Sequence, residues 1–203
     1  MSKTKLIRFN VKNVKYATKT GGTYGSPKDL AYANSISLEA NYSEQKIYGD
    51  GEIIAILGSD KGKTGTLSVT NVEKEYEIDM ERAMNVDCGL ADIQQRSSIE
   101  HAIYFETDGI LNGQSITIKN WLFNVTTGKP SESYEQTKDD PTVNNYDYPL
   151  TVLGVNLLNA AGDADYTDSN GNTKKVYRVS SFPTDSGYFT FENSVPSPKF
   201  VTQ

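Results

Sequence analysis

Apolar and polar residues alternate along much of the chain, which is the pattern of half-buried β-strands. Stretches with this alternation, or with a short apolar run, lie at residues 5–17, 36–42, 52–58, 66–78, 101–109, 115–127 and 148–159. Glycine-rich segments at residues 20–29 and 59–65 are expected to form a loop and a tight turn. The pattern therefore predicts a mainly β fold, with antiparallel hairpins between residues 36 and 78.

One segment, residues 79–95, departs from the strand pattern. Apolar residues recur in it at helical spacing from Met80 onward, Asp79 is suited to cap the N-terminus of a helix, and Gly89 is suited to end one. We therefore expect one α-helix at about residues 79–88, packed on the sheet.

The stretch at residues 36–51 begins as an alternating strand and then continues past its core-facing positions. Its first part is expected to face the interior through alternate residues: Ile36, Leu38, Ala40 and Tyr42. The polar residues that follow predict an extension toward a neighbouring molecule, with residues 49–51, centred on Asp50, as a hairpin tip. Ile47, Tyr48 and the tip residue Asp50 are then candidate subunit-interface residues, because the apolar surface of Ile47 and Tyr48 would be covered only in an assembly.

The region after residue 127 is less regular. Residues 128–147 are polar and lack periodicity, and a loop of this length in a compact domain is usually functional or disordered. Two short strands are expected around residues 175–181 and 187–192, followed by a proline-containing tail at 193–203. The long loop and the tail are candidate inter-subunit contacts, and Phe200 and Val201 are the candidate interface residues in the tail.

Composition narrows the choice of function. The 203 residues are enough for one domain, with a core at about residues 5–160 and C-terminal strands and an extended tail at about 161–203. The net charge of −6 argues against binding a phosphate backbone.

A single cysteine, Cys88, excludes a disulfide framework and is expected to be buried beside Met84 and Val86. The N-terminal residues lack the apolar region of a secretory signal, and no stretch approaches the length of a membrane helix, so synthesis in the cytoplasm is expected.

Patterns for catalysis or metal binding are weak. His101 is the only histidine and no nucleophile is marked beside it, which favours a structural role. The acidic stretch at residues 163–172 fails the spacing of a calcium-binding loop and is typical of a hairpin tip. Residues 58–65 lack one residue of a phosphate-binding loop, and a strand follows instead of a helix. We therefore expect no cofactor and no metal site.

Two features leave alternatives open. Glu73, Glu75 and Glu77 alternate along the predicted strand at 66–78, so their carboxylates would share one face. Such carboxylates could serve glycoside hydrolysis, although a solvated acidic face is commoner. The 13 tyrosines, against 7 phenylalanines, are compatible with a protein interface or a sugar-binding surface. An assembly subunit, a carbohydrate-binding module and an enzyme all remain under consideration at this point.

Several motifs occur in a characteristic order. They are KYATKTGGTYGSPKDL at residues 15–30, a strand start at 33–38, YGDGE at 48–52, GTLSVT at 65–70, DCGL at 87–90, HAIYFET at 101–107 and TTGKPSESYEQTKDD at 126–140. Over about residues 5–160 this order resembles the major tail protein family of long-tailed phages, the tail tube subunits, in particular the phi13-type siphophage branch. Residues 48–52 depart from the tract expected there.

The resemblance implies a β-sandwich or β-barrel with one flanking α-helix and long loops or arms. It also implies a structural virion protein without enzymatic activity that assembles with itself into hexameric rings, which stack into a tube for DNA ejection. The implied partners are further copies, the tape measure, tail terminator and tail tip proteins; DNA passes without specific binding, and no membrane is involved. The protein would then reside in the phage tail after synthesis in the host cytoplasm, and Glu73, Glu75 and Glu77 would face the lumen. The alternative is a tyrosine-rich carbohydrate-binding or adhesin module of a phage tail.

Overall fold

The computed structural model describes residues 6–30, 32–132 and 145–201. Within those ranges the chain is mainly β, with antiparallel sheets, one α-helix, α1 (Lys74–Asp79), and a short 3-10 helix (Tyr188–Thr190). The strands in chain order are β1 (Leu6–Thr20), β2 (Thr23–Tyr24), β3 (Lys28–Asp29), β4 (Ala33–Gly49), β5 (Glu52–Val69), β6 (Ala83–Val86), β7 (Gly89–Asp92), β8 (His101–Leu111), β9 (Gln114–Thr127), β10 (Tyr146–Val152), β11 (Val155–Asn156), β12 (Lys175–Val176) and β13 (Arg178–Ser181). The predicted fold class, mainly β with one helix, is confirmed.

The principal sheet follows the order β2-β1-β8-β9-β10-β5-β4, with β3 paired to β1 and β13 paired to β9. All of these pairings are antiparallel. The strands predicted at residues 5–17, 101–109 and 115–127 are confirmed as β1, β8 and β9. β4, at one end of this strand order, also contacts β1 near the other end, so the sheet curves back toward itself.

The first hydrophobic core lies between the curved sheet and α1. Tyr76 and Met80, from the helix and the residue after it, are fully buried there against side chains of the sheet. The sheet residues that are fully buried in this core are Tyr16, Leu67, Val69, Ile103, Leu122, Val125, Tyr148 and Val152. On β8 the core residues Ile103 and Phe105 are alternate positions, as the strand period requires, whereas on β9 a register shift places Leu122 and Val125, three residues apart, in the same core.

The opposite face of β8 and β9 forms a second core beneath the C-terminal part of the chain. Its buried residues are Ala17, Ala102, Tyr104, Trp121 and Phe123, covered by Val155, Val176, Val179, Phe191 and Val195. The indole Nε1 of Trp121 donates a hydrogen bond to the carbonyl oxygen of Phe191 at 2.8 Å. The two central strands are therefore buried on both faces, which explains their long apolar runs.

The helix lies earlier than predicted. It spans Lys74–Asp79, so Asp79 is its last residue and not its N-cap. The predicted helix at residues 79–88 is wrong because Glu81 adopts a positive φ of 54° and the chain then forms the β6–β7 hairpin. Cys88 is exposed in the turn of that hairpin, and the expectation that it is buried is also wrong.

Exposure of the neighbouring apolar residues explains this error. Met84 and Val86 are half exposed on the small hairpin, whereas Met80 is fully buried. The apparent helical spacing therefore included residues of two elements: a buried residue at the end of α1 and exposed residues of the β6–β7 hairpin.

Several other element boundaries in the structure differ from the predicted ones. The strand predicted at 66–78 ends at Val69, and the turn predicted at 59–65 is part of the continuous strand β5. The strand predicted at 148–159 ends at Val152, since Gly154 takes a φ of 71°. The strand predicted at 187–192 is replaced by the 3-10 helix. Most of the predicted loop at 128–147 lies outside the described residues, although Ser131 bridges to Asp147 near its two ends.

Candidate functional site

β4 and β5 form a hairpin much longer than the body of the sheet needs. Near its base, residues 63–69 of β5 pair with β10 as well as with β4. Residues 42–60, from the Tyr42–Asp60 pair to the tip, pair only within the hairpin among the described strands. We call residues 42–60 the arm. At about 3.3 Å per residue, its eight positions from Tyr42 to Gly49 extend roughly 26 Å.

The tip of the arm is a two-residue turn. Asp50 and Gly51 have φ values of 51° and 86°, and Gly49 pairs with Glu52 directly below them. Positive φ at both turn residues matches the right-handed twist of the two strands, which is why Asp-Gly is favoured in such turns. The predicted hairpin tip at residues 49–51 is confirmed.

Large apolar side chains are exposed on both faces of the arm. Directly paired residues share a face, so Tyr48 lies beside Ile53 on one face and Gln45 lies beside Leu57 on the other. Tyr48 is 64% exposed and Ile47 is 37% exposed. The remaining exposed large apolar residues of the arm are Tyr42, Ile53, Ile54, Ile56 and Leu57.

This combination is unfavourable for an isolated molecule in water. A two-stranded hairpin without a packed face is marginally stable by itself. Contiguous exposed apolar surface of this kind marks sites of protein–protein contact. The arm is therefore the strongest candidate for a functional surface among the described residues.

The sequence predicted the exposed residues on the β4 strand of the arm but not those on β5. Ile47, Tyr48 and Asp50 lie together on the arm, as expected from residues 36–51. Of the residues expected to face the interior, Ile36 and Leu38 do pack on the first core, whereas Ala40 and Tyr42 are exposed. Tyr42 instead lies over Gly58 of β5.

The apolar residues on β5 were missed. The apolar run at residues 52–58 predicted a strand but not its exposure, and its isoleucines and Leu57 face solvent on both sides of the ribbon. A run without alternation indicates apolar residues on both faces of a strand. Such a run beside a predicted extension was the signal that this strand needs a partner on both faces.

The C-terminal candidates lie elsewhere. The ring of Phe200 stacks on Tyr166 with 4.3 Å between centroids, and its backbone N–H donates to the carbonyl oxygen of Leu158. Val201 is exposed beside it. Phe200 is thus engaged within its own chain, and the structure does not place it on the arm.

Glu73, Glu75 and Glu77 do not form an acidic strand face. Glu73 occupies the N-cap position of α1, and Glu75 is an exposed residue of its first turn. Glu77 is buried, pairs with Arg82 at 3.1 Å between Oε2 and Nε, and accepts a 2.7 Å hydrogen bond from Tyr148. The predicted strand face of three carboxylates is therefore wrong, because Glu73 is the N-cap of α1 and Glu75 and Glu77 lie in its first turn.

His101 belongs to a buried polar network around Arg82. Its Nδ1–H donates to the carbonyl oxygen of Ile99 at 3.1 Å, so its Nε2 accepts from the hydroxyl of Tyr76 at 3.0 Å. The Tyr76 hydroxyl also lies 2.9 Å from Thr127, which accepts a hydrogen bond from Arg82. Burial lowers the pKa of His101 to about 4, so the ring is neutral at physiological pH. Among the described residues, the two imidazole nitrogens are hydrogen-bonded to Ile99 and Tyr76, which is the pattern of a histidine that holds neighbouring elements together.

Acid is expected to destabilise the protein through His101. The folded-state pKa of about 4 lies below the unfolded value of 6.5, so the unfolded state binds the proton first and stability falls as pH drops through this window. The loss from this group is about 2 kcal/mol by pH 5. Urea denaturation at pH 7 and pH 5 measures it, and His101→Gln should lose about 2 kcal/mol less than the wild type between the two pH values. Equal losses in both proteins would contradict this assignment.

In the polar stretch at residues 163–172, the Asp168 carboxylate is already bonded to neighbouring groups of the same segment. The Asp168 carboxylate accepts hydrogen bonds from the backbone N–H groups of Asn170 and Asn172 and pairs with Lys174 at 2.6 Å. These contacts hold the pKa of Asp168 down to about 2. In residues 6–30, 32–132 and 145–201, no group of three or more His, Cys, Asp or Glu side chains is arranged to hold a metal ion. No helix in the same ranges is long and apolar enough to cross a membrane.

Comparisons with known proteins add little to this geometry. No protein-family model matches the sequence, and no curated protein matches it. The structure is similar to a chain in the cryo-EM structure of the anti-feeding prophage baseplate, 6-fold symmetrised, with a TM-score of 0.39 and 11% identity, covering 70% of this chain and 89% of that one. A TM-score this low does not establish a shared fold, so no property of that baseplate protein is transferred to this chain.

Proposed function

We propose that this protein is a structural subunit of a bacteriophage tail, and specifically a major tail tube subunit that assembles with copies of itself through the arm. The single observation that carries the proposal is the projecting arm, which exposes apolar side chains on both faces. The order of motifs that resembles the major tail protein family supplies the type of assembly. The body of the protein is packed without the arm, so the arm is available for a second molecule.

The energetics of the arm favour burial in an assembly. Each large apolar side chain that moves from water into an interface contributes about 1.5–3 kcal/mol at full burial. The arm carries several such side chains, whereas its own fold gains little from them. A partner that covers both faces therefore stabilises the hairpin and the contact together.

Tyrosine placement weakens the carbohydrate-binding alternative. Tyr16, Tyr76, Tyr104 and Tyr148 are fully buried, and each makes a side-chain hydrogen bond inside the protein. Four of the 13 tyrosines are thus accounted for by the two cores. A sugar-binding surface would instead require several tyrosines on one concave face.

The finer features of the proposed assembly are hexameric rings, their stacking into a conduit for DNA, and contact with tape measure, terminator and tip proteins. The net charge of −6 is compatible with DNA passing without being retained, since retention needs clustered cationic side chains. Residence in the phage tail and the absence of enzymatic activity are parts of the same proposal.

Replacing Ile47 and Tyr48 together with serine is expected to abolish rings and tubes while the body remains folded. Both residues are exposed on the arm, so their removal should change the free energy of unfolding by about 0.5 kcal/mol or less. Negative-stain electron microscopy of the concentrated protein, with and without extract containing tail-tip proteins, measures assembly, and urea denaturation measures folding.

Tyr32→Ser is the matched control, because Tyr32 is 88% exposed and lies outside the arm. It should assemble like the wild type. Normal tubes from the Ile47→Ser/Tyr48→Ser variant would exclude the arm as the assembly surface. Unfolding of that variant would show that these residues stabilise the body. Failure of the wild type to form rings or tubes with tip extract would overturn the proposed function itself.

A further inference from the structure

The outer edge of β4 along the arm is open and regular. β4 pairs only with β5 among the described strands, so the N–H and C=O groups on its other side have no strand partner. The two register shifts along the arm place their extra residues on β5, between Lys63 and Asp60 and between Ala55 and Ile53. β4 itself is uninterrupted from Tyr42 to Gly49, which leaves a straight edge available for pairing.

Beyond the part of β1 that pairs with β2 and β3, the edge of this strand is protected. β1 carries the extra residues in its shifts against β8, and Asn10 and Asn13 there adopt positive φ values of 59° and 51°. Bulges of this kind twist an edge strand and prevent further pairing. Protection of β1 but not of β4 indicates that the β4 edge is used.

The sequence along this edge is complementary to itself. Residues 42–48 read YSEQKIY, and in an antiparallel arrangement centred on Gln45, Glu44 faces Lys46 of a second copy while Lys46 faces Glu44 of that copy. Ser43 then faces Ile47, and Tyr42 faces Tyr48. Opposite charges and aromatic pairs directly across an antiparallel ladder are stabilising, and like charges are destabilising.

The backbone geometry permits this register. Each pair joins two even-numbered or two odd-numbered residues, so residues whose N–H and C=O groups point outward meet one another, and side chains on one face meet those on the same face. Residues 42–48 are all exposed. Neither Glu44 nor Lys46 has an ion-pair partner within residues 6–30, 32–132 and 145–201.

We propose that two copies of the protein pair through β4 in this antiparallel register, forming a four-stranded ribbon β5-β4-β4-β5 with Gln45 on its two-fold axis. The ribbon replaces two marginal two-stranded hairpins by one sheet of adequate width. It also forms the ion pair between Glu44 and Lys46 twice, because the contact is symmetric.

Such a dimer has a consequence for assembly, and this step rests on the proposed function. A two-fold contact uses the same edge on both molecules and closes on itself, so it cannot propagate into a ring or tube. Pairing therefore occupies the β4 edge of free subunits and must open before a subunit joins a growing tail. The dimer would restrain premature assembly.

The test is a charge exchange measured by sedimentation equilibrium of the full chain. The wild type is expected to dimerise, and Glu44→Lys and Lys46→Glu should each weaken the dimer about tenfold, because each converts both ion pairs into like-charge pairs. An equimolar mixture of these two variants should recover the wild-type dissociation constant, since all cross-strand charges are then opposite in the heterodimer. The double exchange Glu44→Lys/Lys46→Glu should recover it as well.

Glu52→Lys and Lys61→Glu are the matched controls, because they make the same charge changes on exposed positions of β5. Both should dimerise like the wild type. A wild-type protein that stays monomeric at millimolar concentration, a mixture that does not recover, or controls that weaken the dimer equally would each overturn the inference. Recruitment of a different tail protein to the β4 edge of a monomeric wild type would overturn it too. Tubes without a dimer contradict only this inference, whereas a dimer that never forms tubes with tip extract contradicts only the proposed function.

Discussion

Replacing Arg82 with methionine is expected to lower the free energy of unfolding by about 3–5 kcal/mol, because it leaves the carboxylate of Glu77 buried without its partner. The Arg82 side chain is fully buried between the rings of Tyr76 and Tyr148, with its guanidinium carbon 5.0 and 5.1 Å from their centroids. It also donates a 2.6 Å hydrogen bond to the carbonyl oxygen of Gly128. Urea denaturation at pH 7 measures the change.

A second substitution separates the charge effect from lost packing. Glu77→Gln/Arg82→Met removes both buried charges while retaining an oxygen that can accept from Tyr148, so it should be more stable than Arg82→Met alone. Lys12→Met is the surface control, since the Lys12–Asp108 ion pair is 43% and 25% exposed at its two side chains and should contribute about 1 kcal/mol or less. If Arg82→Met and Lys12→Met lower the free energy of unfolding by the same amount, the buried pair does not stabilise the fold as described.

The Arg82 network shows that the body of the protein is complete without the arm. It joins α1 to the end of β9 and to the start of the following loop through Thr127 and Gly128. All of these contacts lie in residues that pack beneath the sheet, away from residues 42–60. Variants in this network should therefore unfold the body, whereas variants at Ile47 and Tyr48 should affect assembly alone.

The elements that could be predicted were those whose pattern is local. Alternation at residues 7–12 of β1 and an apolar run at residues 102–105 of β8 are visible in the sequence, and the Asp50-Gly51 turn has the backbone preference that a two-residue hairpin requires. The projecting part of β4 was recognisable because polar residues followed its core-facing positions. These features depend on residues close together in the sequence, so no knowledge of the fold was needed.

The elements that were mispredicted depend on distant partners. Glu77 appeared to be a surface residue until the fold placed Arg82 and Tyr148 around it. The end of α1 at Asp79 follows from the reversal into β6–β7, which the apparent periodicity of residues 79–88 concealed. The C-terminal segment carries little periodicity because it covers the second core with isolated apolar residues such as Phe191 and Val195.

Gly62 marks the point where the arm leaves the body, and the glycine-rich stretch at 59–65 that predicted a turn in fact supplies a bulge there. Gly62 has a φ of 97°, and its N–H donates to the Asp60 carboxylate at 3.0 Å. The one extra residue on β5 at this place bends and twists the strand, which sets the direction of the arm relative to the body. β10 ends beside it, at the Val152–Lys63 pair.

Gly62→Ala is therefore expected to lower the free energy of unfolding by about 3 kcal/mol or more. Part of this loss arises because a side chain at positive φ is strained, and part because the added methyl group overpacks the space beside β10. A Cβ at this position would lie 2.3 Å from the carbonyl oxygen of Val152, and a backbone atom cannot move aside without shifting β10. Gly22→Ala is the matched control: its φ is 86° and a Cβ there would meet nothing within 4 Å, so only the strain of about 1 kcal/mol should appear.

Urea denaturation compares the two variants, and electron microscopy tests whether Gly62→Ala, with a redirected arm, still forms tubes. Equal stability losses in the two variants would mean that β10 does not confine Gly62, and normal tubes from Gly62→Ala would mean that the bulge does not set the direction of the arm.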